Sequence, residues 1–146
     1  MKILTSKRIR KSLKKKWPMF ERLDEIWLTD REYYCPPSSK VKKAIKECGV
    51  ISKIPKDEAF DCDDFALVAN ALVRLYFIDK EWNKRNNKKW YPIAFGEAIG
   101  TKWNGWDDIH SACISICEEG IMLIEPQTGE MWKANSKDDN LFFIKI

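Results

Sequence analysis

The chain has 146 residues, 45% hydrophobic and 12% aromatic, with seven Trp, seven Phe and four Tyr. That is one domain's length with ample apolar side chain for a core, which excludes a disordered chain, and six Gly and six Pro exclude a collagen-like or low-complexity one. The formal net charge is +4, but residues 1–16 hold eight Lys and Arg and no acid, leaving −4 on the remainder.

Residues 1–16 read as a basic N-terminal arm, either a loosely held solubilising leader or a grip on an anionic partner such as nucleic acid or a host protein. Residues 17–146 read as a single domain. No apolar run reaches the ~20 residues of a membrane span, and no signal-peptide block opens the chain. Five cysteines, an odd number without a Cys-x-x-Cys pair, fit a cytoplasmic protein with free thiols and no finger-type zinc site.

From Pro18 to Leu28 the apolar residues Phe20, Leu23, Ile26 and Trp27 fall at helical spacing. Tyr33–Pro37 is extended because each proline restricts its predecessor. Ser38-Ser39, then Val41, Ala44 and Ile45, then Gly49 predict a short helix with its stop signal. Ile51–Phe60, which contains Pro55, reads as a loop. The strongest helix signal starts at Asp61, an N-cap, with Asp64 at the third helical position. Cys62, Phe65, Ala66, Ala69, Leu72, Val73 and Tyr76 then mark one broad buried face, ending near Phe77–Asp79 before the polar Lys84–Lys89.

The second half is rich in β-formers: Trp90–Ile99, Ile109–Cys117, Ile121–Glu125, Glu130–Ala134 and Leu141–Ile146, with turns at Glu118-Glu119-Gly120 and Pro126–Gly129. Helices first and an antiparallel meander after them predict an α+β fold, with the helices packed on one side of a C-terminal sheet.

Cys62 stands in the first turn of its helix, where unpaired N–H groups stabilise a thiolate and can receive an oxyanion. The only imidazole, His110, opens a strand, and Glu125 ends the next one, an arrangement that offers a base and its orienting carboxylate. Asp61, Asp63 and Asp64 serve equally as cap and solvated face, and their charge opposes thiolate formation. A two-residue Glu119-Gly120 turn pairs Ile114 with Glu125, which puts Glu125 ~13 Å along the strand from His110. Trp103 and Trp106, on a glycine-containing stretch before the histidine, are candidates to line a substrate groove.

Phe60-Asp61-Cys62-Asp63-Asp64-Phe65-Ala66 resembles the nucleophile motif of the papain-like and bacterial transglutaminase-like cysteine peptidases. Ile109-His110-Ser111-Ala112 and Leu123–Glu130 look like that superfamily's histidine and acid strands. The similarity spans residues 24–134 and is greatest to the cysteine-protease domain attached to some fungal lectins and to related small phage and bacterial proteins. It implies a papain/transglutaminase-like architecture with a central helix carrying Cys62. It further implies a Cys62–His110–Glu125 triad that hydrolyses a peptide or protein amide through an acyl-thioester. Such enzymes commonly carry a glutamine upstream of the cysteine; here the sole glutamine is Gln127. Tyr33, Tyr34 or a backbone N–H takes its place as oxyanion donor, with Asp61 and Gln127 as further substrate-binding candidates. The resemblance calls for no cofactor beyond a divalent ion such as calcium near Asp63 or Asp64.

Overall fold

From Ala112 onward the longest strand of the protein is buried on both faces, and the architecture follows from that. The computed structural model describes residues 1–23, 25–53, 61–82 and 90–146. Most of the loop expected over Ile51–Phe60, Phe60 of the cysteine motif and the Lys84–Lys89 stretch lie outside them.

The chain runs β1 (Lys2–Thr5), α1 (Ser6–Lys16), α2 (Phe20–Leu23), β2 (Ile26–Trp27), β3 (Glu32–Cys35), α3 (Ser38–Glu47) and α4 (Cys62–Tyr76). Then come β4 (Phe95–Trp103), β5 (Trp106–Cys117), β6 (Gly120–Glu125), β7 (Glu130–Lys133) and β8 (Asn140–Lys145). Six strands form one mixed sheet in the order β2-β8-β4-β5-β6-β7, while β1 and β3 pair antiparallel as a second, two-stranded sheet. The β2–β8 pair is parallel, with Ile26 opposite Ile144; every other pairing in the large sheet is antiparallel.

This corrects the expected papain/transglutaminase-like α+β fold of helices gathered on one face of an antiparallel sheet. The fold is dominated by strands, and some of them precede and interrupt the helices. The helical spacing over Pro18–Leu28 resolves into the four-residue α2 and a strand at Ile26–Trp27, because main-chain pairing with β8 outcompetes a short isolated helix. Helices cover both faces of the sheet. Along β5, Ala112, Ile114 and Ile116 enter one apolar cluster with Ile9, Leu13 and Phe20, while Cys113 and Cys117 enter another with Phe65, Ala69 and Val73. A strand buried on both sides reads as a continuous apolar run, and this is why its period-2 signal is blunted.

The basic N-terminal segment is part of the fold rather than a free arm. Thr5 caps α1 by accepting from Arg8 N at 3.3 Å, and Ile9 and Leu13, one turn apart, are completely buried. Lys14, Lys15 and Lys16 fall in the last turn, where cations suit the helix dipole, and Lys16 Nζ donates to Ala134 O at 2.9 Å. Among the described residues no helix is long and apolar enough to cross a membrane.

Helix α4 begins where the capping signal places it, with Asp61 N donating to Asp64 Oδ2 at 3.4 Å and Phe65 N to Asp61 O at 3.0 Å. Three bonds set its course: Cys113 Sγ to Ala66 O at 3.7 Å, Asn70 Nδ2 to Glu97 Oε1 at 2.8 Å, and Arg74 Nη2 to Phe95 O at 2.9 Å. The helix therefore runs antiparallel to β4, and its N-terminus lies toward the His110 end of β5.

Candidate ligand-binding cleft

The β4–β5 hairpin turns through Asn104 and Gly105, with φ of 46° and 87°, and Trp103 pairs with Trp106 across it. Two successive residues in the left-handed region define the type I′ turn that Asn-Gly favours, because its twist matches that of the strands. The glycine-containing stretch before the histidine is thus a tight hairpin that sets Trp103 and Trp106 side by side, the first buried and the second exposed. A Cβ on Gly100 would meet Asn140 O at 2.6 Å and Trp103 Cζ2 at 3.2 Å. The missing side chain lets Trp103 lie edge-on to His110, with ring centroids 5.8 Å apart at 87°.

The turn between β5 and β6 corrects the expected register. Cys117 faces Gly120 and Cys113 faces Ile124, so Glu118-Glu119 is the loop and Glu125 moves toward His110 by two residues. His110 Nε2 donates to Glu125 Oε2 at 2.5 Å, and Glu125 Oε1 accepts from Gln127 N at 3.0 Å. The hydrogen bond to Glu125 raises the His110 pKa above its ordinary value. Burial opposes that shift, while the charges of Glu125 and Asp108 add to it.

His110 and Glu125 form one wall of a cleft of about 330 Å³ that Trp103, Trp106 and Trp132 also line. Asn104, Asp108 and Glu130 complete its polar rim. Trp106 is 79% exposed, whereas Trp103 is buried and its Nε1–H has no acceptor among the described residues. A fully buried carboxylate, Asp139, holds the surround together. Its Oδ1 accepts from Asn104 N at 2.8 Å and Trp132 Nε1 at 3.0 Å, and its Oδ2 accepts from Asn135 N at 2.7 Å. Gly105 N adds a bond to Asp138 O at 2.8 Å.

The residues singled out in the sequence divide accordingly. The fold brings His110, Glu125, Trp103 and Trp106 together. Cys62 is half-buried at the start of α4; it has no hydrogen bond to His110 and is not among the described residues lining the cleft. Asp61, Cys62 and Asp63 offer ligand atoms within 4.8 Å of one another, an exposed acidic first turn of the kind the positive helix end favours. A hydrogen bond with Asp63 raises the Asp61 pKa, and Asp64 is engaged in the cap. Tyr33 is no oxyanion donor: it is completely buried, its hydroxyl donating to Ile146 O at 3.0 Å and accepting from Asp30 N at 2.7 Å. Gln127 serves through its backbone N–H. Sequence reasoning passed over Asp108, Glu130, Trp132 and Asp139. The Asn104-Gly105 dipeptide was the available signal for the hairpin that gathers them.

No family model matches the chain, and no curated protein does. Solved structures do match. A chain of the PSL1a–E64 complex superposes with a TM-score of 0.74 at 19% identity, covering 97% of this chain and 50% of that one. The Polyporus squamosus lectin bound to the human-type influenza-binding epitope Neu5Aca2-6Galb1-4GlcNAc gives 0.69 at 21%, covering 97% and 48%. The chain thus spans about half the length of the chains it matches. The shared property is the fold, over about half of each matched chain, and one of those chains is named a lectin. This corrects the peptidase resemblance and removes the support for what was drawn from it: the cysteine-hydrolase activity, the enzyme assignment and the peptide or protein amide substrate.

Proposed function

We propose that the cleft between the β4–β5 hairpin and β7 is a carbohydrate-binding site. The observation that carries this reading is Trp106, a large indole standing 79% exposed at the rim of a cleft with a polar lining. A sugar ring presents apolar C–H faces and a belt of hydroxyls. Indole faces stack on the first; carboxylates and an amide accept from or donate to the second. At about 330 Å³ the cleft is at the small end of ligand sites, suited to one or two sugar rings. Similarity of fold to a lectin that holds a sialylated trisaccharide supports the class of ligand.

Calorimetric titration with a panel of neutral, amino and sialylated saccharides tests the reading. Saturable binding to at least one saccharide is expected, weakened about tenfold or more by Trp106→Ala. Incubation with E64, with any adduct mapped by mass spectrometry, is the counter-test. No saccharide binding, or a covalent adduct on Cys62 that depends on His110, would overturn the carbohydrate reading.

A further inference from the structure

The charge of the cleft narrows its ligand, granted the carbohydrate reading. Its ionisable wall consists of Asp108, Glu125 and Glu130 with the single imidazole of His110, and among the described residues neither Lys nor Arg lines it. Glu125 is committed on both oxygens, to His110 and to Gln127 N. Asp108 and Glu130 are exposed and form no side-chain hydrogen bond or ion pair among the described residues. Even with His110 protonated, the wall is anionic. Beside these carboxylates lie Trp106 and Trp132, whose ring faces attract cations.

We propose that the cleft is selective for a cationic amino sugar: a hexosamine unit whose ammonium is held by Asp108 and Glu130 while its ring stacks on Trp106. A sialic-acid carboxylate meets like charge here, so the cleft discriminates against the class of glycan that the Polyporus squamosus lectin holds. N-acetylation removes the ammonium but preserves the ring and its hydroxyls, which isolates the charge.

The experiment is calorimetric titration of the full chain with the free-amine disaccharide of glucosamine, its N-acetylated counterpart and the sialylated trisaccharide, at low and high salt. The free amine is expected to bind about tenfold more tightly than the N-acetyl form, with the advantage shrinking as salt rises. The paired variants Asp108→Asn and Glu130→Gln, both at exposed positions, should abolish the preference for the free amine together with its salt dependence. Equal affinity for the two disaccharides, or tightest binding of the sialylated one, overturns this inference and leaves carbohydrate binding standing. Absence of binding by all three overturns it together with the carbohydrate reading.

Discussion

Asp139 accepts a hydrogen bond from the indole N–H of Trp132 at 3.0 Å, and with the same oxygen it holds the backbone of Asn104 at the tip of the β4–β5 hairpin. One buried carboxylate therefore sets two sides of the cleft. Such a group is stabilising only while its donors stay paired; each donor left unpaired in the interior costs about 1–3 kcal/mol.

Asp139→Ala is therefore expected to lower stability by several kcal/mol, of the order of two or three unpaired donors, measured by urea denaturation. Asp139→Asn retains one carbonyl acceptor and should cost less. In both variants the Trp132 indole resonance in a nitrogen–proton correlation spectrum should move, and the indole signals of tryptophans remote from Asp139 should not. An unmoved Trp132 signal would show that the carboxylate does not position the cleft.

The His110–Glu125 pair predicts a pH dependence with a definite sign. The folded pKa of His110 lies above the ordinary 6.5, chiefly through the hydrogen bond to Glu125. The stabilisation this supplies is complete below about pH 6.5 and is lost as pH rises through the folded value. Glu125→Gln removes the leading cause and leaves burial opposed only by the charge of Asp108, so the His110 pKa should fall. Proton NMR titration of the single imidazole reads the shift, and denaturation at pH 5.5 and 8.5 reads the stability. A His110 pKa unchanged by Glu125→Gln would refute the assignment.

Gly100 should not accept a side chain. An added Cβ would lie 2.6 Å from Asn140 O and would press on Trp103. Gly100→Ala is expected to destabilise by roughly 1–3 kcal/mol and to disturb the edge-on contact between Trp103 and His110. Retention of full stability by thermal melting would contradict this packing.

Thiol reactivity should follow burial. Desolvation pushes the Cys35 thiol up to about 12 and Cys117 up to about 11, and it raises Cys113 strongly as well. Cys48 and Cys62 are half-buried. Timed alkylation of the native protein should modify Cys48 and Cys62 first, with the other three following only on unfolding. Early labelling of Cys113 would show that the α4–β5 interface opens.

Much of the local structure was legible in the chain itself. Asp61 and the apolar spacing from Cys62 to Tyr76 specify α4, because a helix needs only its own cap and one buried stripe. Val41, Ala44, Ile45 and Gly49 likewise specify α3 and its end, and the β-formers from Trp90 onward locate the sheet, though its first strand there starts only at Phe95. Where two long-range partners decide the outcome, sequence was silent. Ile26 and Trp27 became a strand only because β8 lay beside them, and Lys2–Thr5 only because β3 did. Ile9 and Leu13 turned a run of positive charge into a docked helix by finding a pocket between elements far along the chain. A two-residue difference in one turn decided whether Glu125 meets His110 at all. Register is a cooperative property of the whole sheet, set by which faces are buried, and no single turn carries that information. Residue order thus determined the helices, the strands and the chemistry available, while tertiary packing alone decided which side chains share a cleft.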